Sequence, residues 1–134
     1  MGAFQNFEEI EAWKRARSLA GEIYAVSSTG PFSKDFGLRE QMRRAAVSVM
    51  SNIAEGFERS GTGEFIQFLS MAKGSAGEVR AQLYVALDQV YIDRETFSRL
   101  HVSTTEICRM ISGLMNYLQN SGVKGTKFKK NPKE

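Results

Sequence analysis

The feature that most restricts how this chain can fold is an unbroken apolar repeat through its middle. Phe65, Leu69, Ala72, Ala76, Val79, Leu83, Ala86 and Val90 are spaced 4, 3, 4, 3, 4, 3, 4. Strand side chains alternate with a period of two, whereas this period belongs to a helix packed at a shallow angle on other long helices. It predicts a helix over residues 62–91. Gly74 and Gly77 interrupt it at about 1 kcal/mol each. Either a neighbouring backbone comes close there, or the cost is simply tolerated. A second seam follows in Phe97, Leu100, Thr104, Ile107, Ile111, Leu114 and Leu118, spaced 3, 4, 3, 4, 3, 4. Asp93 is placed to cap that helix and Gly122 to end it.

The stretch 41–59 supplies the third long element and the broadest apolar surface. On a helical wheel Leu38, Met42, Ala45, Ala46, Val49, Ile53 and Phe57 share one side, widened by Val47, Met50 and Ala54. Together they span ~200°, where a one-sided surface helix needs about 100°. Arg39 and Arg43 are the charges that intrude on that arc. A helix over 38–58 with such an arc has more than one neighbour: a bundle core on one side and another subunit on the other. Its narrow polar side holds Glu40, Arg44, Ser48, Ser51, Asn52, Glu55 and Arg59.

The first helix is expected over residues 7–27, opened by a capping box of Asn6 and Glu9. Ala12, Ala16, Leu19, Ala20, Ile23 and Val26 form its apolar face, with Trp13 and Tyr24 on the boundary. Gly-Pro and a closing Gly make residues 28–37 a loop, and Gly56, Gly61 and Gly63 read as turn residues near a tight connection. Four amphipathic helices with short connections predict an all-α, antiparallel up-down-up-down four-helix bundle over residues 1–122, assembled as a homo-oligomer.

A chain of 134 residues is enough for one domain with a real core, and two prolines argue against a loop-rich all-β fold. Neither an apolar run of membrane-spanning length nor a signal-peptide pattern is visible, so no membrane contact is expected. Cys108 is the single cysteine, which points to the cytoplasm. The net charge of +3 conceals an asymmetry: five lysines and one glutamate give residues 124–134 a charge of +4 and leave the rest at −1. The basic tail, 123–134, therefore dominates the pI of about 9.1.

Chemistry-bearing constellations are scarce. The lone His101 follows Ser98 at the position where a bundle di-metal site needs Glu three residues earlier, so no metal or cofactor is expected. His101 reads as a boundary residue and Cys108 as a small buried hydrophobe. Three features carry a functional reading beside a bland one. Val47, Ser48, Met50, Ser51, Asn52 and Ala54 form either a solvated face or a subunit contact that short side chains allow. Arg39, Arg43, Arg44 and Arg59, with Lys14, Arg15 and Arg17, form either a mixed surface or a phosphate-binding group of bidentate guanidinium forks. Lys124, Lys127, Lys129, Lys130 and Lys133 form either a solubilising end or an arm that gathers phosphates.

The stretch LREQMRRAAVSVMSNIAEGFERSGTGEFIQFLSMAKGSAGEVRAQL resembles the four-helix bundle family of 23S rRNA intervening-sequence proteins. Its most specific pieces are RRAAVSVMSNIAEGF (43–57) and EFIQFL (64–69), and FEEIEAWKRARSLAGEIY extends the likeness from residue 7 to about residue 118. Met50 stands where the family usually has proline, so the second helix should be straighter than its relatives'. The resemblance implies a ring, commonly a pentamer, with no agreed enzymatic activity. More distant relatives are accessory proteins of diversity-generating retroelements that bind RNA and a reverse transcriptase. The function expected is a non-enzymatic nucleic-acid-binding accessory factor, RNA before DNA; the alternative is an oligomeric protein-binding scaffold without nucleic-acid contact.

Overall fold

The computed structural model describes residues 4–121, and every regular element among them is helical. The long helices are α1 (Glu11–Val26), α2 (Phe36–Glu58), α3 (Thr62–Asp88) and α4 (Arg94–Ser121), with 3-10 turns at Phe7–Glu9 and Gly30–Lys34. Each helix packs on the next in sequence, and α1 closes the square on α4. Side-chain pairs give the directions. Gln41 meets Gln82 and Ser48 meets Ser75, so α2 and α3 run antiparallel. Arg80 with Thr105 and Tyr84 with His101 show the same for α3 and α4. The expected four-helix bundle is the fold observed. The basic tail and Gly122 lie outside the described residues.

The heptad seams form the core. Phe65, Leu69, Ala72, Ala76, Val79, Leu83 and Ala86 of α3 are completely buried, and they meet Leu100, Ile107, Ile111 and Leu118 of α4. Thr104 fits the same apolar seam because its hydroxyl donates to the His101 carbonyl at 2.8 Å, satisfying it within the helix. Phe57 and Phe65 meet edge-on at 6.0 Å and close the end where α2 turns into α3.

The seam ends one position before the repeat suggests. Val90 is 81% exposed with φ of +60°, because α3 closes in a Schellman motif. Tyr91 N–H donates to the Ala86 carbonyl at 2.8 Å and Val90 N–H to that of Leu87 at 2.9 Å. That geometry needs a left-handed residue, a conformation a β-branched side chain adopts only at a cost of about 1–2 kcal/mol. The hydroxyl of Tyr91 holds the turn by donating to Asp35 Oδ2 at 2.8 Å, and this bond raises the phenol's pKa. Val90→Gly should therefore raise stability by about 1 kcal/mol in denaturant unfolding. A loss of stability would show that the valine side chain contributes packing which its exposure conceals.

Three other expectations change at helix ends. The first helix does not start at Phe7: after the 3-10 turn, Ile10 adopts extended backbone (φ −77°, ψ 122°) and turns its side chain into the core, 2% exposed. Asn6 makes no capping bond; Glu9 alone reaches back, accepting from Gln5 N–H at 2.9 Å. α2 starts earlier than expected because Asp35 caps it, accepting from Leu38 N–H at 3.1 Å. The preceding loop is itself anchored by Phe32, 1% exposed and stacked on Tyr91. At the α4 start Asp93 caps as expected, accepting from Thr96 N–H at 2.8 Å, which lowers its pKa.

The glycines also redistribute. Gly56 is a buried residue inside α2, not a turn residue, and a Cβ there would lie 2.6 Å from Phe68 Cβ. Gly74 and Gly77 face open space within this chain, so no helix of the bundle approaches them.

Candidate nucleic-acid interface

The structure divides the arginine group between two sides of α2. Arg43 lies against the end of α1 and Arg39 against the loop before α2, whereas Arg44 and Arg59 lie on the side of α3.

On the α1 side, the end of α1 leaves carbonyls without helical partners, and Arg43 is placed against them. Its Nε donates to Ser27 Oγ at 2.8 Å, and its terminal nitrogen donates to Ser28 Oγ at 3.1 Å. Ser27 is fully buried and passes its own proton to the Ile23 carbonyl at 2.6 Å. A cation at a helix C-terminus also complements the helix dipole. The same guanidinium lies over the Tyr24 ring, 4.5 Å from its centroid. Arg39 repeats the arrangement one turn earlier, donating to the Ser33 carbonyl at 2.8 Å while lying 4.8 Å over Phe36. Farther along α1, Arg17 lies 5.9 Å over Trp13, whose ring meets Phe7 edge-on at 5.1 Å. Lys14, three residues before Arg17, shares its side of the helix and is exposed. Glu40 offsets part of this charge, pairing with Arg39 at 3.2 Å.

On the α3 side, charges of both signs meet. Arg59 pairs with Glu55 at 3.0 Å and Glu64 at 3.9 Å, and lies 4.9 Å over Phe68. Arg44 is exposed at the mouth of a groove of about 280 Å³ that it lines with Gln41, Ala45, Ser48, Ser75 and Glu78. Gln82, which bonds Gln41 of this lining, is buried: its amide nitrogen donates to Gln41 Oε1 at 3.3 Å, while its own Oε1 has no partner.

The six residues expected at a subunit contact separate in the same way. Ser48 Oγ bonds Ser75 Oγ at 2.9 Å, a contact of α2 with α3 within one chain, while Asn52 donates to Ser48 one turn earlier on α2 itself. Val47 and Ser51 are exposed; Met50 and Ala54 are half-buried. The apolar arc of α2 thus fills the core with Met42, Ala45, Ala46, Val49, Ile53 and Phe57; of its widening residues Met50 packs on the core's edge, Ala54 is half-buried and Val47 is exposed.

Among the described residues no group of three His, Cys, Asp or Glu side chains comes together to hold a metal ion. His101 is a boundary residue between α3 and α4, packed on Tyr84 and Phe97 at 5.7 and 5.4 Å. Cys108 is half-buried, not enclosed, with Sγ 3.9 Å from the Lys73 carbonyl. No helix of the described residues is long and apolar enough to cross a membrane. Sequence reading missed Tyr24 as a partner of Arg43, since 19 residues separate them and only the α1–α2 packing joins them, and Phe36 as a partner of Arg39, although their i,i+3 spacing on α2 was visible.

Fold and surface together define a four-helix bundle protein with an arginine–aromatic face. The family model described as "23S rRNA-intervening sequence protein" matches residues 8–113, and the chain belongs to that family. Among solved structures it is similar to a Bacteroides thetaiotaomicron protein of unknown function from the S23 ribosomal protein family. The two share 23% identity over 78% of this chain and 95% of that one, with a TM-score of 0.73. That likeness concerns the fold. No curated protein matches the chain.

Proposed function

We propose that the protein is a non-enzymatic, homo-oligomeric nucleic-acid-binding accessory factor that takes RNA before DNA. The observation that supports it is the α1–α2 face, where Arg17, Arg39 and Arg43 each lie over an aromatic ring. Arginine beside exposed aromatic rings suits nucleic acid, because guanidinium meets phosphate and rings meet bases. The family's description, which refers to rRNA intervening sequences, favours RNA. The tail lysines add charge for the encounter, and repetition in an oligomer, a pentamer by resemblance, multiplies both. An accessory role to a reverse transcriptase rests on the resemblance to retroelement proteins alone.

Self-assembly has its own support on α3. Ser70, Gly74, Gly77 and Ala81 form a stripe spaced 4, 3, 4 on its outward side, flanked by Met71 and Val85, which are 52% and 44% exposed. A second copy laid there would cover apolar surface that a monomer leaves in water.

Charge reversal tests the nucleic-acid reading. Lys14→Glu combined with Arg17→Glu, both exposed positions, should leave folding intact and weaken RNA retention at low salt by about tenfold or more. Retention in filter binding should also fall with salt at a log–log slope of roughly −0.7 per phosphate neutralised on a single strand. Failure of the unaltered protein to retain RNA at low salt would transfer the reading to a protein-binding scaffold.

A further inference from the structure

We propose that the α1–α2 face binds unpaired, single-stranded nucleic acid by stacking bases on its rings, an inference that rests on the nucleic-acid reading above. A duplex keeps its bases stacked on one another and offers a protein mainly phosphates, sugars and groove edges. A single strand offers the π-face of every base, which aromatic side chains and guanidinium planes receive without regard to sequence.

This face provides both kinds of platform. Tyr24 is 45% and Phe36 64% exposed, so each ring keeps open area beside its arginine. Phe36 opens α2 and stands outside the core, which the bundle closes with Phe32 and Phe57 instead. The guanidinium of Arg43 is oriented in advance by the hydroxyls of Ser27 and Ser28. Arg39 is fixed in the same way by the Ser33 carbonyl. Their planes are therefore set before a ligand arrives, and little side-chain freedom is lost on binding. On the opposite side of α2, Arg59 is held between two carboxylates, whereas on this face Arg39 meets the carboxylate of Glu40 alone.

The chain's single tryptophan, Trp13, lies beside Arg17 on α1, about three turns from Tyr24, so its emission reports a strand that extends along α1. A single-stranded RNA oligomer should quench Trp13 emission and bind about tenfold or more tightly than a duplex of the same sequence at equal salt. Tyr24→Ala and Phe36→Ala should each weaken single-strand binding by about tenfold, while Tyr24→Phe should retain it. Circular dichroism and light scattering on the same variants check folding and assembly. Equal affinity for duplex overturns stacking. So does unchanged affinity in Tyr24→Ala and Phe36→Ala while Lys14→Glu with Arg17→Glu still weakens binding, a result that leaves the broader nucleic-acid reading standing. Dissociation of the assembly by Tyr24→Ala or Phe36→Ala would make the face a contact between copies and also overturn the inference. Absence of binding to either nucleic acid at low salt would remove both readings together.

Discussion

Leu83→Ala should lower the stability of the protein by about 2–5 kcal/mol. Leu83 is completely buried in the α3 seam, between Val79 and Ala86 on its own helix and opposite Leu100 and Ile107 of α4 in one continuous core. Truncation removes apolar atoms from that core and leaves a cavity that two long, tightly packed helices are poorly able to close. His101→Ala is the control. Its ring is half-buried at the edge of the same helix pair, where water can replace it, so it should cost clearly less. Chemical denaturation that returned equal losses would mean the core lies elsewhere than the heptad repeat puts it.

The second large effect runs against helix propensity. Alanine favours a helix interior over glycine by about 1 kcal/mol, yet Gly56→Ala should destabilise by about 1–3 kcal/mol. The added methyl would stand 2.6 Å from Phe68 Cβ and 3.0 Å from Phe65 Cδ1. The nearer atom is fixed by the α3 backbone and cannot rotate away, so α2 and α3 must separate. Gly113→Ala, in α4 with no atom of another helix within 4 Å of the new methyl, should show the opposite sign. Two glycine-to-alanine changes in helices of one protein thus separate intrinsic propensity from close packing.

These two cases also show what the sequence exposes. Leu83 could be assigned to the core from spacing alone, because a heptad repeat sustained over α3 and another over α4 leaves few arrangements other than an antiparallel bundle. Gly56 could not, because a glycine near a helix end and a glycine at a close crossing look alike until the neighbouring phenylalanines are placed. The termini failed for a related reason: Ile10 and Val90 fit a helical periodicity, but tertiary burial of Ile10 and the Schellman closure at Val90 decide their backbones.

The site was less legible than the fold. Arginine-rich stretches on α1 and α2 were visible as residue types. Which side each guanidinium takes depends on contacts distant in sequence, such as Arg43 with Ser27 and Tyr24. Ser48 and Asn52 illustrate the converse: small polar residues that permit close approach are read equally well as an interface between copies or between helices of one chain. Here Ser48 serves the contact of α2 with α3, and Asn52 bonds Ser48 within α2.

The most direct test of the account is the molar mass of the protein, by light scattering, alone and with single-stranded RNA at low salt. The account predicts a multiple of 15.0 kDa for the protein alone, a larger mass when RNA is added, and a return to the first value at high salt. A mass of 15.0 kDa at micromolar concentration, unchanged by RNA at low salt, would contradict it.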